Sequence, residues 1–254
     1  MTIQQLLPEH RRVPVASAYA DLGLAERAEG LKRPYVVANM VITVDGRAAL
    51  DGRTKEISSP ADRELFHALR EQVDAVMAGT GTIGIERYGA LVRDPARRAR
   101  RVERGLAELP LAVTASRTLE LPVAAPLFED RESRIVVLAG KDGEIPETGA
   151  EVIVEPVPGA DERTIDFVRG LELLRARYGV RTLLLEGGPT LLAAMMDAGV
   201  VDELFLAIAP LVAGGPEPSL IEGSDPADPI RLRLESLLED EGFLFARYLV
   251  GDPR

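Results

Sequence analysis

Apolar positions fall along this chain in two rhythms. Short apolar runs at 35–44, 75–78, 111–114, 134–139, 182–185 and 203–209, with a weaker one at 151–154, have the pattern of strands buried on both faces. Between them the spacing turns helical. Leu65, Phe66, Leu69 and Val73 follow Ser59-Pro60-Ala-Asp62, which places Ser59 as N-cap, Pro60 at the first helical position and Asp62 at the third. That helix is predicted to run to about 70–72. Ile165, Val168, Leu171 and Leu174 predict an amphipathic helix over 164–178 with Gly179 as its stop. Pro189 with Gly199 brackets another, over 189–198. Residues 93–104 hold six arginines against Asp94 and Glu103 and are predicted as a solvated helix after Pro95. Residues 1–30 are mixed and polar, and are expected to form an arm lying on the domain or on a partner subunit, with a short helix at 17–28. Near the other end Ile230, Leu232 and Leu234 alternate with arginines, 239–242 supplies a turn, and 243–250 is strand-like, which predicts an antiparallel hairpin after a turn-rich loop over 214–229. Strand–helix alternation closed by a hairpin predicts one α/β domain over 31–254 with a mostly parallel sheet.

Composition narrows the chemistry. The chain of 254 residues is 46% hydrophobic, enough for one sizeable core. A net charge of −11 argues against nucleic-acid or anionic-membrane partners. The absence of cysteine removes disulfides, thiolate metal sites and thiol catalysis, and with only His10 and His67 a multi-histidine metal site is excluded too. No metal is expected. Residues 1–10 lack the apolar core of a secretory signal, and 35–44, interrupted by Asn39, is too short to span a bilayer, so a cytoplasmic protein is expected.

The candidate chemistry gathers where strands end. After the strand at 182–185 come Glu186, Gly187 and Gly188, then the helix opening at Pro189. Glycines there allow a phosphate to approach the backbone at a helix N-terminus, although an ordinary tight turn has the same residues. Glu186 tips the balance, because open α/β sheets bind ligands at the carboxyl ends of their strands. Asp45 ends the strand at 35–44 and reads either as a working carboxylate or as a turn former. Arg70 either complements a helix dipole or points into a cleft, while His67 is placed outside the chemistry. Gly79-Thr-Gly81-Thr-Ile-Gly84 satisfies the dinucleotide fingerprint in form, but Ile85-Glu-Arg-Tyr-Gly89 is too short a continuation for a Rossmann helix. Ser116 and Arg117 follow a strand and suit a ribose 2′-phosphate, or are simply loop residues.

Several segments together carry a resemblance. Arg33-Pro-Tyr-Val, Thr43-Val-Asp-Gly-Arg, Ile57-Ser-Ser-Pro, Leu69-Arg, Asp74-Ala-Val-Met-Ala-Gly-Thr-Gly-Thr, Glu186-Gly-Gly-Pro-Thr-Leu and Val201-Asp-Glu-Leu followed by Ile208-Ala-Pro keep the order and spacing of the riboflavin-biosynthesis pyrimidine reductases. From about Leu31 onward the chain resembles the reductase domain of the bifunctional deaminase–reductase. The resemblance implies a dihydrofolate-reductase-like three-layer α/β/α fold. It also implies that NADPH reduces the ribosyl group of 5-amino-6-(5-phosphoribosylamino)uracil to ribityl, hydride going to ribose C1′. The deaminase half carries a zinc signature that needs cysteines, so a stand-alone reductase is expected.

Carried over residue by residue, Val41, Thr43, Gly79, Thr82 and Glu86 would line the nucleotide cleft. Gly187, Gly188, Pro189, Thr190 and Leu191 would hold the cofactor diphosphate, and Ser116 with Arg117 the adenosine ribose phosphate. Thr54, Arg70 and Arg93 would bind the substrate's phosphate or ribose, Glu186 would hydrogen-bond the substrate, and Asp45 would orient it and assist proton delivery. Glu86 stands where the family often has Asp, Asn39 where it often has Lys, and the segment 94–108 is longer than usual. These departures keep open another pyrimidine or a pteridine such as dihydrofolate, and a non-catalytic nucleotide-binding protein is the alternative of another class. A homodimer is expected if Phe243, Phe245 and Tyr248 lie on an exposed sheet edge, unless they close the chain's own core.

Overall fold

The computed structural model describes residues 1–161, 164–223 and 228–251; residues 224–227 of the turn-rich loop lie outside them. Its strands are β1 (Thr2–Leu7), β2 (Arg11–Pro14), β3 (Tyr35–Thr43), β4 (Ala75–Met77), β5 (Leu111–Ser116), β6 (Arg134–Ala139), β7 (Glu151–Pro156), β8 (Thr182–Leu185), β9 (Glu203–Ala209), β10 (Leu232–Asp240) and β11 (Phe243–Val250). The helices are α1 (Val15–Ala18), α2 (Leu24–Arg27), α3 (Pro60–Arg70), α4 (Thr80–Ile85), α5 (Pro95–Glu103), α6 (Pro126–Glu129), α7 (Phe167–Tyr178) and α8 (Pro189–Asp197). All these strands join one sheet in the order β2-β1-β10-β11-β9-β3-β8-β4-β5-β6-β7. From β9 to β7 neighbours run parallel; β11, β10, β1 and β2 are antiparallel.

Alternation along β3 divides the core. Tyr35 and Val37 pack with Leu65 and Leu69 of α3 and with Phe128 of α6, whereas Val36, Ala38 and Met40 pack with Leu171 of α7 and Leu192 and Met195 of α8. The result is the three-layer α/β/α arrangement, with each fully buried leucine contributing about 2 kcal/mol. Ser59 caps α3 as its spacing predicts, its Oγ accepting from Asp62 N at 3.1 Å.

Four elements differ from the sequence reading. Residues 2–14 form two strands, because β1 pairs with β10, and the helix expected at 17–28 is two single turns, α1 and α2. β1 hid in the sequence because one inward position is Gln5, buried with Ile3. The terminal hairpin is interior to the sheet: β11 pairs with β9 and β10 with β1. Phe245 is buried and Phe243 stacks on it at 6.1 Å, so this surface closes the chain's own core and lends no support to a dimer. The helix α7 starts three residues late, capped by Asp166, and buries Phe167, Leu171 and Leu174 while Val168 is exposed.

The fourth is the arginine-rich helix. α5 is docked rather than solvated: Arg97 and Arg100 pair with Glu71, and Arg101 is completely buried. Arg101 donates to the carbonyls of Ala107, Arg70 and Val73, which closes the C-terminal end of α3. Burial pulls its pKa down to about 10 despite the nearby Asp74 and Glu71. Arg101→Met orphans three carbonyls and is expected to destabilise the protein by about 3 kcal/mol, read as a lower denaturation midpoint. An unchanged midpoint would mean that α5 is not docked through this side chain.

Candidate active site

The carboxyl ends of β3, β8, β4 and β5 open onto three joined clefts. The first, about 920 Å³, runs between Gly79–Thr82, Ser116–Thr118 and the start of α8. The central one, about 430 Å³, lies over Asn39–Val41 and is walled by Thr54, Phe66 and Arg70. The third, about 360 Å³, holds His67, Arg87, Arg93 and Arg97. Thr82, Ile85, Gly188 and Pro189 belong to both the first and the central cleft. Arg70, Glu86 and Tyr88 belong to both the central and the third.

The first junction is built from backbone. Gly79 N donates to Gly187 O at 2.7 Å, so the β4–α4 and β8–α8 turns touch directly. A Cβ on Gly187, which has φ +82°, would lie 2.9 Å from Met40 Sδ, and one on Gly188 would lie 2.9 Å from Thr82 Oγ1. A side chain at Gly187 meets a left-handed backbone as well as Met40, whereas at Gly188 the obstacle is the Thr82 hydroxyl alone. Pro189 opens α8, and the next N–H groups, of Thr190 and Leu191, have no partner within the helix. They face the first cleft with the positive end of the helix dipole.

The second junction is a buried ion pair. Arg70 donates from Nε to Glu186 Oε1 at 2.6 Å and from Nη2 to Oε2 at 2.7 Å, and Tyr88 OH donates to Oε2 at 2.8 Å. Nη1 of Arg70 donates to Leu91 O at 2.7 Å, and the guanidinium lies 4.4 Å from the Phe66 ring centroid. Burial works against the charge on Arg70, but Glu186 outweighs it and the guanidinium pKa rises. Burial first and Glu186 second push the Tyr88 phenol well above its usual range. The sequence reading had Arg70 and Glu186 as separate ligands of substrate. The structure makes them partners, which leaves a fixed polar floor to the cleft.

Other site residues sort by position. Val41, Gly79, Thr82, Glu86, Gly188, Pro189, Thr190 and Leu191 line the first or central cleft, as do Ser116, Arg117 and Thr54. Arg93 lines the third. Glu86 Oε1 accepts from Thr54 N at 2.8 Å and Thr54 Oγ1 at 3.0 Å, so these two hold one loop over the cleft together. Gly187 stands behind the junction.

Asp45 and Thr43 line none of these three clefts. Thr43 is fully buried and its hydroxyl donates to Asp45 Oδ1 at 2.6 Å. Asp45 also accepts from Ala213 N at 3.0 Å and Gly214 N at 2.7 Å, tying the β9–β10 loop to the end of β3. The Thr43 hydroxyl, then the two amides, hold this carboxyl far below the usual carboxylate range. A depressed folded pKa means the tie persists while an ordinary aspartate titrates near pH ~4 and is lost only in stronger acid. Asp45→Ala is expected to speed hydrogen exchange at the Ala213 and Gly214 amides at neutral pH; unchanged exchange would show that the loop is held otherwise.

Three site residues escaped the sequence reading. Tyr88 meets Glu186 across 98 positions, a pairing no local pattern announces. His67 lines the third cleft and is half-buried; burial, with Arg70 and Arg97 beside it, lowers its pKa. Asp62 serves as the third residue of α3 and also lines the central cleft.

Fold and site together define a dihydrofolate-reductase-like α/β/α protein with a cleft of about 920 Å³ opening into a smaller one. The RibD C-terminal domain model matches residues 34–242, and the chain belongs to that family. It is 32% identical over 208 residues to the 2,5-diamino-6-ribosylamino-4(3H)-pyrimidinone 5′-phosphate reductase of Methanothermobacter thermautotrophicus, covering 80% of this chain and 92% of that one. It is also 32% identical over 185 residues to the riboflavin biosynthesis protein RibD of Mycobacterium tuberculosis, covering 72% of this chain but 44% of that protein. A pyrimidine reductase-like protein from Corynebacterium diphtheriae superposes with a TM-score of 0.77 at 26% identity, over 95% of this chain and 100% of that one. No helix among the described residues is long and apolar enough to cross a membrane.

Proposed function

We propose that the protein is an NADPH-dependent reductase of a 5-phosphoribosylaminopyrimidine, converting its ribosyl group to ribityl in riboflavin biosynthesis. The observation that carries this reading is the continuity of the three clefts, which share lining residues at two junctions. The first cleft, at about 920 Å³, is near the upper end of ligand sites, which span about 300–1,000 Å³. It fits a dinucleotide in its donors as well. Thr190 and Leu191 amides at the start of α8 would hold the diphosphate, and Ser116 with Arg117 the ribose 2′-phosphate. Thr82, Gly188 and Pro189 would hold the nicotinamide end where the first cleft meets the central one. Bound there, NADPH supplies a hydride for ribose C1′.

The chain's own residues position the substrate. Arg87 and Arg93 in the third cleft suit its phosphate. Arg70, locked by Glu186 and Tyr88, presents a fixed cation at the passage to the central cleft, where the ribose would lie. The Thr54–Glu86 pair ties one loop across the cleft. The relative that aligns over almost its whole length reduces, by its name, the 2,5-diamino-pyrimidinone, which favours that base over the uracil. Loss of reduced-nicotinamide absorbance is expected with the diaminopyrimidinone phosphoribosyl compound and NADPH. Turnover with dihydrofolate alone would replace the substrate class, and NADPH binding with no turnover on any of the three would make this a nucleotide-binding protein without catalysis.

A further inference from the structure

Resting on the reading just given, we propose that Asp62 binds the pyrimidine base, its Oδ1 accepting an N–H from the ring's 2-amino edge. Three carboxylates line the central cleft: Asp62, Glu86 and Glu186. Glu186 is committed to Arg70 and Tyr88, and Glu86, at the passage to the third cleft, accepts twice from Thr54 through Oε1. Asp62 lines the central cleft and neither of the other two. Its Oδ2 accepts from Ser58 Oγ at 2.7 Å, while Oδ1 accepts no hydrogen bond among the described residues. The residue is 8% exposed, and the exposure is toward the cleft. Burial raises its pKa, against the opposing effects of Ser58 and Arg63. Oδ1 stays open to solvent on the cleft side, so a ligand N–H can take the place of water there.

The shape of the clefts says which part of the substrate reaches it. The reacting ribose carbon belongs at the junction with the first cleft, and the phosphate belongs beyond the passage at Arg70 and Tyr88. The remaining corner of the central cleft is formed by Ser58, Asp62 and the half-buried Phe66. It offers a carboxylate oxygen beside an aromatic ring, which suits a flat heterocycle carrying N–H donors. A 2-amino group donates to Oδ1, whereas the 2-oxo group of a uracil sets one acceptor against another. Asp62 is therefore a specificity-determining residue that selects the amino-bearing base.

Asp62→Asn tests this, because the amide keeps the size and adds a donor that suits the 2-oxo group. The ratio of kcat/KM for the diaminopyrimidinone over the uracil substrate is expected to fall at least ~10-fold, mainly through KM, with the Kd for NADPH within about twofold of wild type. An unchanged ratio, or an equal loss on both substrates, overturns the proposal. Should the substitution unfold the protein, Ser58→Ala leaves the Asp62 carboxylate in place with a second free oxygen; it is expected to keep the preference for the amino base, and its loss would overturn the role of Asp62. Calorimetric binding of the two pyrimidines without cofactor reads Asp62 apart from turnover. Selective weakening of the diamino compound in a protein that reduces neither would sink the reaction and keep Asp62; parallel affinities in wild type and Asp62→Asn would sink Asp62 alone.

Discussion

Glu186→Leu is expected to destabilise the protein by about 3–5 kcal/mol, because it leaves the buried Arg70 charge without its counter-ion. The Tyr88 hydroxyl loses its acceptor at the same time. Turnover should fall by at least ~100-fold, about 2.7 kcal/mol of barrier, since the cation at the passage between the clefts is no longer fixed. Denaturant titration and steady-state rates read the two effects separately. The double substitution Arg70→Met with Glu186→Leu sharpens the test. Removing both charges is expected to recover most of the stability but none of the activity. Recovery of both would reduce the pair to a structural tie. The same cluster sets an alkaline limit: Tyr88 keeps its proton in the folded protein after an unfolded tyrosine would lose it. The stability this supplies is complete below pH ~10 and declines as pH rises beyond it.

Gly188→Ala is expected to weaken NADPH binding at least ~10-fold, about 1.4 kcal/mol. The new methyl would sit 2.9 Å from Thr82 Oγ1, at the junction where the first and central clefts share lining residues. Backbone φ at Gly188 is −73°, so alanine is not strained there and the effect isolates the close approach. Thr82→Ala in the same chain removes the atom in conflict and should restore much of the affinity. If Gly188→Ala binds NADPH as wild type does, the nicotinamide end lies elsewhere.

The parallel part of the fold was legible in the sequence because each strand is a short apolar run and α3, α5 and α8 open with proline. Ser59-Pro60 and Gly188-Pro189 announce α3 and α8 where the structure has them. β1 and β2 were not legible, since Gln5 and the arginines of β2 break the alternation and their pairing depends on β10, more than 200 positions away. Arginine content misled at α5 for a related reason. Arg101 is buried by carbonyl acceptors, and a sequence does not display backbone acceptors.

The turn between β8 and α8 is legible in the sequence, because its glycines and Pro189 mark the strand end and the helix start themselves. The partnership of Arg70 with Glu186 is a matter of tertiary distance. The partners of Asp45 are equally a matter of tertiary distance: its oxygens accept from the Thr43 hydroxyl and from the amides of a loop about 168 positions on. Asp62 was hidden by its own capping position, which gave a sufficient local reason for an aspartate there.

A crystal structure of the NADPH complex tests the central claim most directly. The nicotinamide ring should lie at the junction of Thr82, Ile85, Gly188 and Pro189, with the diphosphate on the first turn of α8 and the 2′-phosphate at Ser116 and Arg117. A coenzyme bound in the third cleft, or one whose ring points away from the central cleft, would contradict the account.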